Sequence, residues 1–297
     1  MRARRSVLAV PGSNPAMLEK AKGFGSDAVF LDLEDAVAPA EKAAARGHVV
    51  DALVSGSWGE RLRTVRVNDL STPHTYRDVI EVVEGAGPHL DALVLPKVQG
   101  PEHVVWLDLL LSQIEATMGF APGRIAIEAQ IESARGLQQA AAIATASPRL
   151  QALVFGPGDF AADLGLASPF VGAEPFVGAF DAALLTIRAA ATAAGLQAID
   201  GPWQRVHDLD GFRARAQRSA ALGFDGTWVL HPSQVDVAHA VFTPSREQYD
   251  QARRVVATVG EGRGVAMLGD VMVDEASRKL AERTVARGRA AGLDATP

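Results

Sequence analysis

The sequence predicts an α/β protein, a (β/α)8 TIM barrel with a C-terminal extension, on three observations. Eight short apolar segments rich in β-branched residues recur along the chain. Longer segments rich in Ala, Leu, Glu and Arg separate them with helical periodicity. A chain of 297 residues, 48% of them hydrophobic, has the length and composition of one such barrel. An open doubly wound sheet is the competing arrangement, because it also alternates strands with helices.

Several strand segments are apolar at successive positions, which is typical of strands that are buried on both faces. The eight strands are predicted at Val7–Val10, Ala28–Leu33, Thr64–Val67, Ala92–Leu95, Ile125–Ile131, Ala152–Phe155, Gln197–Ile199 and Gly226–Leu230. Helices are predicted between them, such as Asn14–Gly23, Ala40–Leu53, His103–Thr117, Ala134–Thr145, Phe176–Ala194 and Gly211–Leu222.

The chain continues beyond the eighth strand for too long to form a single closing helix. Residues Ser233–Val259 precede a glycine-rich break at Gly260–Gly264, and a last helix is predicted from about Asp274. Residues 1–235 are therefore predicted to form the catalytic barrel. Residues 236–297 are predicted to form a helical extension or lid that reaches a neighbouring subunit.

Composition argues against several classes of protein. A net charge of −6 disfavours a general nucleic-acid binder, and the lack of cysteine excludes disulfides, thiolate metal sites and a cysteine nucleophile. No apolar stretch has the length of a membrane span, and the apolar run Ser6–Val10 is too short for a secretion signal. A cytoplasmic protein is expected. Neither a phosphate loop nor a dinucleotide fingerprint is present.

Polar residues follow nearly every predicted strand, and in barrels the reactive residues collect where strands end. In chain order they are Pro11-Gly12-Ser13-Asn14, then Asp32, Glu34 and Asp35, then Arg66 and Asn68, then Lys97, Glu132, Asp159, Asp200 and His231.

Glu132 and Asp159 follow consecutive strands, which lie about 4.8 Å apart in a barrel. Two carboxylates that close repel each other unless one is protonated or a cation lies between them. Because no cysteine or paired histidine is near, oxygen ligands predict a hard cation, Mg²⁺ before Mn²⁺ or Ca²⁺. The structural alternative is that each carboxylate caps a helix or pairs with an arginine, such as Glu132 with Arg135.

Arg66 ends the third strand, where its planar guanidinium suits an anionic substrate or a developing enolate. The structural alternative is an ion pair with Glu34 or Asp35, and both roles are compatible. The side chains of Glu34 and Asp35 are expected to point to different faces. One would support Arg66 or a metal-bound water, and the other would cap the next helix.

Lys97 and His231 each have two interpretations. Lys97 could form a Schiff base, but an ion pair with the carboxylates is the preferred interpretation because the metal pair already supplies an electrophile. His231 is a conceivable acid or base, although a histidine that fixes a turn is more common. Cations of the N-terminal third form either a phosphate-docking patch or ordinary solvated helix faces. They are Arg2, Arg4, Arg5, Lys20, Lys22, Lys42 and Arg46.

Ordered segments along nearly the whole chain match those of one known family. They include RSVLAVPGSNPAMLEKA (Arg5–Ala21), DAVFLDLEDAVAPAEKAAAR (Asp27–Arg46), TVRVNDLSTPHTYRDV (Thr64–Val79), LVLPKV (Leu93–Val98), QIESARGL (Gln130–Leu137), SPRLQALVFGPGDFAADLG (Ser147–Gly165), IDGPW (Ile199–Trp203), LGFDGTWVLHPSQ (Leu222–Gln234), FTPS (Phe242–Ser245) and MVD (Met272–Asp274). In these segments the chain resembles the HpcH/HpaI aldolase and citrate lyase β-chain family, and most closely its malyl-CoA and β-methylmalyl-CoA lyases.

This resemblance implies a barrel that holds magnesium through Glu132 and Asp159. Arg66 would contact the substrate carbonyl and stabilise the enolate. Asp274 would act as acid or base in a neighbouring subunit's site, which requires a homo-oligomer, a trimer or a hexamer. The loop Pro11-Gly12-Ser13 and Lys20 resemble the part that grips coenzyme A.

The implied reaction cleaves or forms a 3-hydroxyacyl-CoA, such as malyl-CoA from acetyl-CoA and glyoxylate. The partners are thus an acyl-CoA thioester and a small α-keto acid. The alternatives are a citramalyl-CoA lyase or citrate lyase β-like activity, a malyl-CoA thioesterase, and a non-catalytic subunit of a lyase complex. The short segment Gly165–Phe180, Asn14 and Thr227 depart from the malyl-CoA lyase pattern and bear on acyl-CoA specificity.

Overall fold

Eight parallel strands form a closed barrel in this structure, a computed structural model that describes residues 2–166, 178–260 and 264–294. Each strand pairs with the next along the chain, and β8 pairs with β1 to close the barrel. The strands are β1 Ser6–Pro11, β2 Ala28–Asp32, β3 Leu62–Arg66, β4 Ala92–Leu95, β5 Ala126–Ile131, β6 Leu150–Phe155, β7 Gln197–Asp200 and β8 Gly226–Val229. The predicted barrel is confirmed, and every strand lies within two residues of its predicted bounds.

Helices connect successive strands and cover the barrel. They are α1 Pro15–Ala21, α2 Lys42–Val54, α3 Thr75–Ala86, α4 Pro101–Met118, α5 Ala134–Gln138, α6 Ala140–Ala144, α7 Pro157–Asp163, α8 Asp181–Ala193, α9 Leu209–Ala221 and α10 Ser233–Phe242. Helix α10 packs on α9, β8 and β1 and so completes the barrel. The domain boundary predicted after residue 235 falls inside this helix.

The inner and outer faces of the strands differ as a two-residue period requires. Outward residues pack under the helices, and most inward residues form a small apolar core that includes Phe30, Val94 and Trp228. Strand β5 is the exception. Its outward residues belong to the large core, whereas its inward positions are the buried polar residues Glu128 and Gln130, and Glu132 follows at the strand's end. This strand therefore carries polar side chains through the barrel interior.

Beyond α10 the chain forms a separate helical layer: α11 Arg246–Val259, the hairpin β9 Val265–Leu268 and β10 Val271–Asp274, and α12 Glu275–Ala290. Helices α11 and α12 pack around Tyr249, and Arg287 donates to the carbonyls of Gly223 and Phe224 at 2.9 and 3.1 Å. Because these carbonyls precede β8, the layer lies against the N-terminal end of the barrel.

The sequence predicted helices for this layer but not the hairpin. The predicted start of a helix at Phe176 lies outside the described residues, as do parts of Gly165–Phe180 and of the break at Gly260–Gly264. Within the described residues, no helix combines the length and the apolar character that a membrane crossing needs.

Candidate active site

The C-terminal ends of the strands, here called the mouth of the barrel, surround a cavity of about 660 Å³. Glu132 and Asp159 both line this cavity, together with Lys97. Strands β5 and β6 bring the two carboxylates together, because Ile131 lies opposite Phe155 in their register and both acids follow soon after. The structure therefore places the predicted metal pair at one site.

Glu132 is a buried carboxylate held by two neutral donors. The backbone N–H of Lys97 donates to its Oε1 at 2.7 Å, and Nε2 of Gln130 donates to its Oε2 at 2.5 Å. Burial, and then the carboxylates of Glu34 and Asp159, raise the pKa of Glu132 well above its usual range. The alternative ion pair with Arg135 does not form. Arg135 instead lies 3.9 Å from an exposed carboxylate on α4, that of Glu102.

Asp159 is an exposed residue in the first turn of α7. Among the described residues its carboxylate has no hydrogen bond and no cation within 4 Å, so it is free to bind a ligand. Gly156, just before α7, makes room for the pair. A Cβ at this position would lie 2.3 Å from Oε2 of Glu132, so a larger residue would displace that carboxylate.

Arg66 is fixed by a partner on the neighbouring strand. It lies opposite Asp32 in the register of β2 and β3, and its Nε and Nη2 donate to the two Asp32 oxygens at 2.7 and 2.6 Å. Its Nη1 lies 2.9 Å from Oε2 of Glu34, and its guanidinium stacks near Phe30 and Trp228. Burial opposes the charge, but Asp32 and Glu34 together raise the pKa of Arg66 above its usual value, so this cation is permanent.

Glu34 and Asp35 both face the same cations, so the prediction that they point to different faces is wrong. Nζ of Lys97 lies 2.7 Å from Glu34 and 3.6 Å from Asp35, and Arg66 approaches the same two carboxylates. Both acids lie in a turn beyond the end of β2, where strand alternation no longer applies. No side-chain cap is found at the next helix. Burial raises the pKa of Glu34 to about 7.

Lys97 donates hydrogen bonds to two carboxylates, one through its side chain and one through its backbone. Its ammonium binds Glu34, while its backbone, in the left-handed region at φ 51°, directs the N–H at Glu132. Burial works against the charged amine, yet the hydrogen bond that Lys97 donates to Glu34 and the negative charges of Glu34 and Asp35 together outweigh it and raise the pKa of Lys97 above its usual value. An amine held protonated is a poor Schiff-base nucleophile, so the ion-pair interpretation agrees with the geometry.

The donor set at the mouth suits a hard divalent cation. Carboxylates outnumber cations here, and the pKa of Glu132 is raised as expected for uncompensated negative charge. No cluster of three or more potential ligands occurs in the described part of the chain, and a cation that keeps several waters needs only two carboxylates. The carboxylates are those of Asp32, Glu34, Asp35, Glu132 and Asp159, and the cations are Arg66, Lys97 and Lys42.

The loop after β1 lies at the same end of the barrel. The N–H of Gly12 donates to the carbonyl of Asp32 at 2.8 Å, and a Cβ on Gly12 would lie 2.6 Å from that oxygen. Gly12 is thus required for packing, whatever it binds. Pro11 and Ser13 flank it, and Lys20 is exposed in the last turn of α1.

The structure separates the cations of the N-terminal third, so they do not form a single phosphate-docking patch, which was one of the two interpretations of this group. Lys42 and Arg46 are buried and bonded within the fold, and Lys22 pairs with Glu19. Arg2, Arg4 and Arg5 precede β1, and therefore lie at the opposite end of the barrel from Glu132. A residue before a parallel strand always lies at that end. Only Lys20 keeps the expected exposure without a described partner.

Three other candidate residues lie away from the cavity. Asp200 bonds to Arg215 and to a serine on α9, so it fixes a helix. His231 contacts Oγ of Ser233 at 2.8 Å and fixes a turn. Asp274 ends β10, where its Oδ1 accepts two hydrogen bonds from Ser277 at 2.9 Å. Within one chain, the carboxylate of Asp274 does not line the cavity at the mouth.

Sequence reasoning missed the residues that hold the site in place. Asp32 was noted only as a strand end, and Gln130 was not noted as a site residue. Lys42, which donates to the carbonyls of Leu33 and Glu34 at 2.7 Å, was grouped with cations of a phosphate-docking patch or of solvated helix faces. Gln130 could have been found, because it precedes Glu132 by two residues on the same face of one strand.

The chain is similar to several known proteins over most of its length. The family model of HpcH/HpaI aldolase/citrate lyase matches residues 5–232. The L-malyl-CoA/beta-methylmalyl-CoA lyase of Cereibacter sphaeroides is 39% identical, over 95% of this chain and 93% of its own. A (3S)-malyl-CoA thioesterase of the same species is 36% identical, over 96% and 95%.

Among solved structures, protein CitE from Mycobacterium tuberculosis in complex with magnesium, acetoacetate and coenzyme A superposes with a TM-score of 0.78. It is 33% identical, and the match covers 97% of this chain and 98% of CitE. The chain belongs to the HpcH/HpaI aldolase/citrate lyase family.

Proposed function

We propose that this protein is a magnesium-dependent carbon–carbon lyase that cleaves or forms a 3-hydroxyacyl-CoA. The reaction would split malyl-CoA into acetyl-CoA and glyoxylate, or run in reverse. One observation carries the proposal: the mouth joins a buried carboxylate without an ion-pair partner, Glu132, to the free carboxylate of Asp159. The similarity to the malyl-CoA lyase and to magnesium-bound CitE supports the same conclusion.

Glu132 and Asp159 would hold the metal, with Mn²⁺ as a possible substitute for Mg²⁺. When bound, magnesium supplies Lewis-acid polarisation of the hydroxyl and carboxylate oxygens of the acid half. Gln130 and the backbone of Lys97 hold Glu132 in place by donating to its two oxygens.

Arg66 would stabilise the thioester enolate. Its Nε and Nη2 donate to Asp32, whereas Nη1 forms an ion pair with Glu34 without a hydrogen bond, so both terminal nitrogens keep N–H groups for an oxyanion. Because its charge is permanent and its geometry is fixed by Asp32, the guanidinium needs no reorganisation as negative charge develops. The carboxylates of Glu34 and Asp35 lie beside this guanidinium, 2.9 and 3.6 Å from its Nη1.

Asp274 of a neighbouring subunit would exchange the proton at the acetyl carbon. Hydrogen bonds from Ser277 lower the pKa of Asp274, which keeps it a carboxylate able to act as a base in condensation. The hairpin that carries it exposes Met267 and Met272 by 61% and 62%, and a second copy would cover these apolar side chains. We therefore propose a homo-oligomer, a trimer or a hexamer, and Pro11, Gly12, Ser13 and Lys20 as the region that contacts coenzyme A.

A coupled screen tests the reaction. Acetyl-CoA and propionyl-CoA are each combined with glyoxylate and pyruvate, with and without Mg²⁺, and the acyl-CoA products are identified by mass spectrometry. We expect malyl-CoA from acetyl-CoA and glyoxylate only when Mg²⁺ is present. Full activity after exhaustive treatment with EDTA would refute the metal assignment. Citramalyl-CoA as the main product would identify pyruvate as the preferred acid half.

The thioesterase relative at 36% identity supports a second candidate, hydrolysis of malyl-CoA to malate and free coenzyme A. Product analysis separates the two outcomes, because glyoxylate indicates the lyase and a free thiol with malate indicates the hydrolase. Turnover by the purified chain alone would exclude a non-catalytic subunit. Cytoplasmic location stays a prediction from sequence.

A further inference from the structure

A second cavity, of about 950 Å³, lies at the opposite end of the barrel from Glu132. Residues that precede β1, β7 and β8 form one wall, and helices α11 and α12 form the other. Strands of four to six residues separate the two ends by roughly 13–20 Å. We call this space the arginine cavity, because its lining includes Arg4, Arg188, Arg253, Arg283 and Arg287. Its volume falls in the range typical of small-molecule sites.

The arginines of this cavity are not all neutralised. Arg188 and Arg287 share Asp225, at 2.9 and 3.5 Å. Within the described residues, by contrast, neither Arg253 nor Arg283 has a hydrogen bond or a carboxylate within 4 Å. Among the described residues, Arg253 contacts a tyrosine ring of its own helix and interacts electrostatically with Asp294.

Arg4 also lines the cavity, but its guanidinium is buried toward the barrel interior and is not one of the groups exposed to a ligand. Its Nη2 pairs with Glu128 in the barrel interior, while its Nε and Nη1 have no hydrogen-bond partner among the described residues. Apolar side chains such as Leu196, Phe242 and Val256 supply much of the remaining wall. The cavity thus combines guanidinium groups from several segments with an apolar surface, inside a chain of net charge −6.

We propose that the arginine cavity binds a phosphate-bearing organic anion, such as a nucleotide. A terminal phosphate presents three acceptor oxygens and can engage guanidinium groups from α11 and α12 at once, whereas a carboxylate presents only two. The apolar wall would receive the organic portion. Because α11 and α12 flank the hairpin that carries Asp274, a ligand here would also join that layer to the barrel.

Isothermal titration calorimetry with ADP, pyrophosphate and succinate tests the proposal. The titrations use the full chain with EDTA at low ionic strength, so that no metal takes part. We expect ADP to bind more tightly than pyrophosphate, both to weaken with added salt, and succinate to bind least. The variant Arg253→Ala/Arg283→Ala should bind ADP at least tenfold more weakly.

A matched control removes the same charge from the same two helices outside the cavity. Arg254→Ala/Lys279→Ala should bind ADP within twofold of the unmodified protein. All four altered residues of the two double variants are exposed, so circular dichroism should show intact folds. Failure of both phosphate probes to bind, tighter binding of succinate, or unchanged binding by Arg253→Ala/Arg283→Ala would each overturn the proposal.

Discussion

Glu128 and Glu132 lie on the same side of one strand, four residues apart, and both are nearly inaccessible to solvent, yet their surroundings differ. Glu128, toward the N-terminal end, pairs directly with Arg4 and also accepts from Gln151 at 3.0 Å. Glu132, at the mouth, receives only neutral donors, and its pKa is raised. A buried acid with its own cation supports the fold, whereas one without a cation is available to a ligand. This contrast predicts that loss of the Glu132 charge will mainly reduce turnover, whereas loss of the Glu128 charge will mainly reduce the free energy of unfolding.

The largest expected effect is on catalysis at the mouth. Glu132→Gln should reduce magnesium-dependent turnover by at least about 10³-fold, equivalent to about 4 kcal/mol in the barrier. Its unfolding free energy in urea should stay the same or increase, because an uncompensated buried charge is removed. The side-chain oxygen of Gln130 has no hydrogen-bond partner among the described residues, so the amide of Gln130 can flip and accept from the new amide at position 132. Loss of stability together with activity would assign Glu132 a structural role.

Replacement of Glu128 by glutamine, toward the N-terminal end of the barrel, should lower stability and leave turnover unchanged. Glu128→Gln leaves the guanidinium of Arg4 buried without a countercharge, and we expect a loss of about 3–5 kcal/mol in unfolding free energy. The fraction that remains folded should keep its turnover number. Urea denaturation combined with active-site titration measures both. A variant as stable as the unmodified protein would show that the Arg4 pair contributes little.

A smaller effect should follow from filling the space beside Glu132. Gly156→Ala introduces a Cβ that overlaps Oε2 of Glu132, and we expect turnover to fall by about 10–100-fold, with a stability loss of about 1–3 kcal/mol. Gly158→Ala is the matched control, because its Cβ would meet only Nε2 of Gln204 at an ordinary 3.6 Å. Equal effects of the two substitutions would show that steric overlap with Glu132 is not the cause.

The smallest expected effect is on the pH dependence of stability, through Asp27 at the N-terminal end of the barrel. Burial would raise the pKa of Asp27, but the hydrogen bonds and charge of Arg5 outweigh it and lower that pKa. Asp27→Asn should therefore cost about 1–3 kcal/mol of unfolding free energy at pH 7. This difference should be constant down to about pH 5 and shrink as the pH falls through the depressed pKa, below about 3.9. Urea denaturation curves from pH 7 to pH 3.5 check this, and a difference that grows on acidification would contradict it.

Local patterns explain why the sequence predicted the barrel and the paired carboxylates. Apolar runs mark buried strands, and the rule that strand ends meet at the mouth placed Glu132 beside Asp159. Contacts that depend on register between strands are not visible locally, so the pairing of Asp32 with Arg66 was missed. Backbone conformation is equally hidden, and nothing in the sequence indicates a positive φ at Lys97. The proposed role of Asp274 depends on a second subunit, which no single chain displays.

The left-handed backbone at Lys97 links two carboxylates that would otherwise be independent. A rotation of this peptide that withdraws the N–H from Glu132 also shifts the side chain that neutralises Glu34. The position of the Glu132 carboxylate and the charge balance around Arg66 therefore both depend on Lys97. A glycine here would keep the backbone shape and lose the ammonium, and an alanine would endanger both. A substitution at this position therefore acts on Glu132 and on Glu34 at the same time.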